Sequence, residues 1–167
     1  NEYGLVFSDE EARRFRQAWF TLYPRFGDYH REVEELVKRQ GYVESPVGRR
    51  RRLQKELADE NPSVRSHAVR QAINSPIQGA AWDLMSLIIG RIYMERRNRF
   101  SCKEVLQVGT VHDQVLLEVK EELVDTVVSW IREDIISQVC RVATWFTVPL
   151  VLDLKVGDCW GELKVIK

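Results

Sequence analysis

The chain has 167 residues, of which 44% are hydrophobic, which is enough to bury the core of one domain. Its 25 basic and 25 acidic residues cancel, so the net charge indicates neither a nucleic-acid nor an acidic partner. Three widely spaced cysteines without a C-x-x-C pair argue against a disulfide framework and a zinc site. With no charged-then-apolar leader and no apolar run of about 18 residues, we expect neither secretion nor a membrane span.

The first predicted elements are two helices and a hairpin. Ser8, followed by three acidic residues and then by apolar residues at helical spacing, predicts a helix that ends near Pro24. The next apolar residues predict a second helix that ends at Gly41. Residues 42–53 contain a Ser-Pro-Val-Gly turn and predict two short strands, and the polar residues 55–63 predict a loop.

The second half of the chain predicts a long helix, a hairpin and a further helix. Apolar residues recur at helical spacing from Val64 to Ile92, and we expect Pro76 to kink or restart this helix because proline removes a hydrogen bond and clashes with the preceding turn. Another helix is predicted from residue 123 to 135. Three segments rich in apolar and β-branched residues predict strands: residues 104–110, 115–119 and 148–156.

These elements predict the α+β class, in which several α-helices cover one face of a small antiparallel sheet. No repeat, low-complexity segment or interdomain linker interrupts the sequence. We therefore expect residues 1–167 to form a single structural unit. The absence of an initiator Met before Asn1 indicates a fragment of a longer protein.

His112 and Asp113 lie between two predicted strands, at the tip of a tight hairpin. Cross-strand hydrogen bonds on both sides fix the backbone there, so the carboxylate is rigidly aimed. Such a group can hold a divalent cation, act as a base, or accept backbone hydrogen bonds within its own turn. The residues alone leave these alternatives open.

Arg70, Asn74 and Gln78 are spaced four residues apart and therefore lie along one face of the long helix. Their side chains are long or forked hydrogen-bond donors. Every base pair presents acceptors in the minor groove of DNA, so a row of donors can follow a correctly paired duplex without reading its sequence. The alternative is a solvated polar face, against which Pro76 argues, because a surface helix has no evident need for a central proline.

Four consecutive arginines, Arg49 to Arg52, occupy the second strand of the first hairpin. Successive side chains of a strand alternate between its faces, so at most two of them project the same way. The run is typical of a ribbon that contacts phosphates, or of a charged edge that discourages aggregation.

Taken in order, five segments resemble the C-terminal part of family A DNA polymerases, the bacterial polymerase I type. Together they cover essentially the whole chain. The family's helix after the fingers, its G-Y-V-E-T-x-x-G-R-R-R segment, its R-A-x-x-N-x-P-x-Q-G-T-A-A-D helix, its motif C hairpin and its closing strand correspond to SDEEARRFRQAWFTLYPRFGDY (8–29), GYVESPVGRRRRL (41–53), RQAINSPIQGAAWDL (70–84), VHDQVLLEV (111–119) and VPLVLDLKVGDCWGELK (148–164).

The resemblance implies a partial polymerase domain, with a palm sheet that carries a catalytic β-hairpin. Asp113 resembles one of two palm aspartates that bind catalytic Mg²⁺, and His112 its neighbour near the primer terminus. The implied reaction is attack of a primer 3′-hydroxyl on the α-phosphate of a dNTP, with two metal ions about 3.5 to 4 Å apart. The resemblance places Arg70, Asn74 and Gln78 along the minor groove of the primer-template duplex, with His112 near the primer terminus. Arg49, Arg50 and Arg51 are the residues that we expect to contact DNA phosphates.

Several departures from the family pattern bear on activity. Gln114 replaces the usual Glu beside the metals, so we expect weakened metal binding. Ala80, Trp82 and Ser86 replace the usual Thr, Ala and Lys, and "LQVGTVHD" carries extra residues before His112.

The family's first palm aspartate, in a D-Y-S-Q-I-E-L-R segment, and its fingers helix do not occur in the sequence. We therefore expect the isolated chain to be inactive unless an N-terminal remainder of the polymerase, in the cytoplasm of a bacterial or phage-infected cell, supplies them. Two alternatives remain: a non-catalytic duplex-DNA-binding accessory domain, and a structural domain in which His112 and Asp113 merely close a turn.

Overall fold

A computed structural model describes residues 7–166 of the chain. Its backbone contacts group into two compact units, which divide after Gly79. Helix α4, Pro62–Arg99, contributes residues to both units. Small antiparallel sheets and helices make up both, which confirms the α+β class, although the strands among residues 7–166 form three separate two-stranded ribbons. Between residues 7 and 166, no helix combines the length and apolar composition that a membrane crossing requires.

The first unit begins with two helices whose ends follow from local capping. In α1, Asp9–Leu22, the Ser8 hydroxyl accepts from the Glu11 amide at 3.3 Å, and Glu11 accepts from the Ser8 amide at 2.9 Å. This reciprocal pair satisfies two amides that a helix leaves unpaired. Helix α2, Pro24–Gln40, ends at Gly41, whose φ of 77° is the left-handed conformation that glycine adopts without strain. Both predicted helices are confirmed.

A short ribbon and a third helix complete this unit together with the first half of α4. Strands β1, Tyr42–Glu44, and β2, Arg50–Arg52, pair antiparallel as predicted. The loop predicted for residues 55–63 is wrong in part, because α3 covers Gln54–Leu57 and α4 already begins at Pro62. A polar composition therefore did not prevent helix formation there.

The core of the first unit lies where α2, the ribbon and α4 meet. Five residues are buried together: Val33, Val37, Val43, Leu53 and Ala72. The Tyr29 hydroxyl donates to the Ile73 carbonyl at 2.7 Å, and burial raises the pKa of Tyr29. Pro76 lies inside α4, three residues beyond that carbonyl, and the helix continues through it. Tyr29 thus ties α2 to the turn of α4 that proline perturbs.

The second unit contains the second half of α4, a longer ribbon and a further helical segment. Strands β3, Val105–Val111, and β4, Gln114–Val119, are antiparallel, as predicted. A 3₁₀ turn at Glu121–Leu123 then leads into one helical stretch, which comprises α5 (Val124–Ser129), a π-helical segment (Trp130–Ile135) and α6 (Ile136–Val142). The helix predicted over 123–135 is confirmed and extends further.

The core of the second unit packs α4 against this helical stretch and β3. Its buried residues are Leu84, Ile88, Ile92, Val105, Val127, Trp130, Ile131, Ile135, Val139 and Ala143. The strand predicted over 148–156 is wrong for most of its length, because only Lys155–Val156 (β5) pairs, with Lys164–Val165 (β6). Leu150, Leu152 and Leu154 pack against the core without forming a sheet, and this packing explains their alternation.

Candidate functional site

The candidate residues of the hairpin form the two-residue turn between β3 and β4. Val111 pairs with Gln114, so His112 and Asp113 alone make the connection. His112 has a φ of 53°, and it is the one non-glycine residue within 7–166 with a positive φ. Histidine enters this left-handed region more readily than most residues. The backbone direction at Asp113 is therefore set by a tight turn between paired strands.

The Asp113 side chain is exposed, and it has no partner among residues 7–166. It accepts no hydrogen bond within its own turn, which is the bond that a purely turn-closing aspartate uses. Gln114, also exposed, begins β4. Both carboxylate oxygens of Asp113 are therefore available to a ligand, and hard oxygen ligands of this kind suit Mg²⁺.

A β-bulge in β3 accommodates one residue of the segment "LQVGTVHD". Gln107 pairs with Leu117, whereas Gly109 pairs with Leu116, so Val108 is the unpaired residue. A bulge reverses the faces of the residues that follow it and increases the local twist. On β4, Val115, Leu117 and Val119 pack against the core and anchor the hairpin.

The donor row on α4 lies on its exposed face in the first unit. Arg70, Asn74 and Gln78 are all exposed, whereas Ala72 is buried. Arg70 donates to the Ser66 hydroxyl at 2.8 Å within the helix. Within the part of the chain that the structure describes, the amides of Asn74 and Gln78 have no partner. The helix therefore presents unused donors in a row, as their spacing predicted.

The four arginines of residues 49–52, the last three of which form β2, differ in their partners. Arg49 donates to the Gly79 carbonyl at 3.2 Å, and Arg51 donates to Gln71 Oε1 at 3.2 Å, so both reach α4. A Cβ on Gly79 would lie 3.1 Å from the Ser45 Cβ, so glycine permits the close approach of ribbon and helix.

Arg50 and Arg52 do not share those partners. The Arg50 Nε donates to Glu44 Oε1 at 2.5 Å, and its guanidinium lies 4.6 Å from the Tyr42 ring centroid. The Glu44 hydrogen bond raises the pKa of Arg50. Arg52 is exposed, and no side chain between residues 7 and 166 pairs with it. The sequence did not single out Arg52, because a run of identical residues does not show which member lacks an internal partner.

The candidate residues thus form two groups, one in each unit. The first unit holds Arg49 to Arg51 together with the donor row of α4, and the second holds His112, Asp113 and Gln114. In residues 7–166 no three His, Cys, Asp or Glu side chains come together as a metal site. Asp113 can supply one oxygen ligand to Mg²⁺, and these residues alone do not complete a site with three such ligands.

The comparisons with known proteins point to one family. The model for DNA polymerase family A matches residues 3–162. DNA polymerase I of Caldicellulosiruptor bescii is 32% identical over 169 residues, which cover 98% of this chain and 19% of that protein. DNA polymerase I of Streptococcus pneumoniae is 34% identical over 165 residues, 96% of this chain and 17% of that protein.

A solved structure is similar as well. The POL domain of Pol1 from M. smegmatis, in complex with a DNA primer-template and dNTP, is 30% identical. It matches with a TM-score of 0.70 over 78% of this chain and 23% of that one. The chain therefore spans less than a quarter of these matched proteins.

Proposed function

Because the chain belongs to DNA polymerase family A, we propose that it is the C-terminal, palm-bearing part of a DNA-directed DNA polymerase. The complete enzyme would add dNTPs to a primer 3′-hydroxyl as the template directs. A structural neighbour, 30% identical, holds primer-template DNA and dNTP, which supports the same ligands here.

The observation that carries this proposal is the exposed, unpartnered carboxylate of Asp113 on a two-residue turn between paired strands. In the proposed enzyme Asp113 contributes one oxygen ligand to Mg²⁺. When bound, a pair of such ions stabilises the charge on the attacking and leaving oxygens. His112 lies next to this ligand in a fixed backbone conformation, near the primer end. Gln114 supplies an amide where a carboxylate would add a negative charge.

The duplex-binding part of the proposal rests on the first unit. Asn74 and Gln78 present free amides from the rigid face of α4, where they donate to the minor-groove acceptors that all base pairs share. Arg49 and Arg51 hold the ribbon against α4.

The exposed apolar face of helix α1 supports the proposal that this chain binds the N-terminal remainder of the polymerase. None of the residues of α1 is buried. Its large apolar side chains are exposed together with those at the start of α2: Phe15, Trp19, Leu22, Tyr23 and Phe26. Apolar area of this kind gains free energy when covered, and the chain spans 17–19% of its curated relatives. We infer that the remainder covers this face and supplies the second aspartate, without which the isolated chain is inactive.

The test is Mg²⁺-dependent primer extension by the polymerase reconstituted from this chain and its upstream part. Asp113→Asn should lower nucleotide incorporation by orders of magnitude and leave duplex binding unchanged, since it removes a metal ligand and no groove contact. Asp125→Asn, at an exposed position of α5, is the matched control and should keep full activity. Equal incorporation by the two variants would remove Asp113 from the metal site.

A second candidate function is duplex binding without catalysis, and the unpaired donors of α4 favour it. Asn74→Ala and Gln78→Ala should each weaken primer-template binding by about 1 to 3 kcal/mol, the range of a good groove contact. Asn98→Ala, at an exposed position near the end of the same helix, should not. Duplex binding that persists without any extension, even with the upstream part present, would favour this second function.

A further inference from the structure

A cavity of about 370 Å³ opens between α4 and α6 in the second unit. Its size is within the range of small-ligand sites. None of its lining residues belongs to the hairpin turn or to the donor row. They are Arg91, Asp134, Ser137, Gln138, Arg141 and Val142.

Arg91 is a charged residue of this cavity that lacks an internal partner among the described residues. Its side chain is half-buried, and nowhere in residues 7–166 does it find a hydrogen-bond, ion-pair or aromatic partner. Glu95, one helical turn further along α4, makes no ion pair with it. Removing a guanidinium group partly from water without giving it a hydrogen-bond partner costs free energy. A ligand that accepts hydrogen bonds from its five N–H donors would offset that cost.

The charges around the cavity leave it basic. Its one carboxylate, Asp134, is engaged by Arg99 at 2.7 Å, from Nη2 to Oδ2, and Arg99 does not line the cavity. Arg141 donates to the Ser137 hydroxyl at 3.0 Å. That bond orients the guanidinium of Arg141 and leaves the Ser137 hydroxyl hydrogen free to donate. Two guanidinium groups, a hydroxyl and the Gln138 amide therefore converge from two helices.

We propose that this cavity binds a phosphate group, with Arg91 and Arg141 as its principal contacts. Guanidinium groups match phosphate oxygens with paired, charge-assisted hydrogen bonds. A phosphate also has enough acceptor oxygens to use donors that arrive from different directions. The phosphate can belong to a nucleic-acid backbone or to a small molecule such as pyrophosphate, and both present the same oxygens to the site.

The experiment titrates the 167-residue chain with two probes. Calorimetry measures the affinity for inorganic pyrophosphate, and fluorescence anisotropy measures the affinity for a short labelled single-stranded oligonucleotide at several salt concentrations. The variants are Arg91→Gln and Arg141→Gln. The matched control is Arg97→Gln, which makes the same charge change on α4 at an exposed residue that contacts Tyr93 instead of the cavity. Circular dichroism checks the fold, and if one cavity variant is unfolded, the other gives the comparison.

We expect both cavity variants, but not the control, to lose about tenfold or more in affinity, the effect of removing one charge-assisted bond. A loss of affinity confined to pyrophosphate identifies the ligand of the cavity as a small molecule that carries a phosphate group. A loss for the oligonucleotide, with a salt dependence reduced by about one unit of slope, identifies the nucleic-acid backbone. The proposal is overturned if the unsubstituted chain binds neither probe, or if Arg97→Gln changes affinity as much as the cavity variants. Because neither probe requires polymerisation or the upstream part, this outcome is independent of the proposed function.

Discussion

Arg96 places a positive charge inside the second unit, where it is 5% exposed. Its Nη1 donates to the Val105 carbonyl at 2.9 Å and lies 3.6 Å from Cys102 Sγ. The Lys120 amide donates to the Glu104 carbonyl at 2.9 Å, so the next carbonyl, that of Val105, points away from β4. Arg96 is therefore the group that satisfies this carbonyl and ties α4 to the start of β3.

Removing that donor should destabilise the chain. Arg96→Met keeps most of the side-chain volume but leaves the Val105 carbonyl buried without a partner, at a cost of about 1 to 3 kcal/mol in the free energy of unfolding. Arg97→Met, at the adjacent exposed position, should change it by less than about 0.5 kcal/mol. Urea denaturation measures both. Equal unfolding midpoints for the two variants would show that the Arg96 hydrogen bond is not what stabilises this junction.

At the scale of single elements, the β1–β2 ribbon is attached to α4 through its arginines. Arg51→Gln removes the bond to Gln71, and the exposed position limits the loss of unfolding free energy to about 1 kcal/mol. Arg52→Gln removes the same charge from a side chain without an internal partner, so it should leave stability unchanged. If the ribbon contacts DNA, Arg52→Gln should lower the salt slope of duplex binding by about one unit. Thermal denaturation of the two variants measures the effect on stability, and salt titrations of duplex binding measure the contact with DNA phosphates. A salt slope unchanged by Arg52→Gln would show that Arg52 does not contact those phosphates.

The elements that the sequence predicted well are those whose determinants are close together in the chain. The Ser8 cap, the Gly41 terminus and the hairpin turn at His112 and Asp113 each depend on a few neighbouring residues. The segment 148–154 was wrongly predicted, because alternation reports that one face is buried and does not report whether a partner strand exists. Leu150 and Leu152 obtain that burial by packing against the core.

The candidate site residues were likewise predictable from the sequence only where local spacing determines them. Asp113 and the spacing of Arg70, Asn74 and Gln78 were visible in the sequence, and the structure places all four side chains at the surface. The partners of Arg49 and Arg51 lie 30 and 20 residues further along. The cavity around Arg91 depends on α6, more than forty residues away. Contacts of this kind follow from tertiary packing, which no local pattern encodes.

At the scale of the whole molecule, the described residues form two cores that share no residue. One is formed around Val37 and Leu53, and the other around Ile135 and Val139. Small proteins unfold cooperatively when one core holds all elements together, whereas separate cores permit local unfolding of one part. The absence of an interdomain linker predicted a single structural unit, and the two cores make cooperative unfolding of that unit testable.

Two core substitutions test whether the chain unfolds as one cooperative unit. Val37→Ala and Ile135→Ala both truncate side chains that are 0% exposed, at a cost of about 1 to 3 and 2 to 5 kcal/mol respectively. Hydrogen exchange should show that Val37→Ala accelerates the amides of α2 and the β1–β2 ribbon, with those of β3, β4 and α6 unchanged. Ile135→Ala should produce the reverse pattern, because each cavity weakens only the core that contains it. If either substitution accelerated both sets of amides equally, the chain would unfold as one cooperative unit, and α4 would transmit the loss of one core to the other.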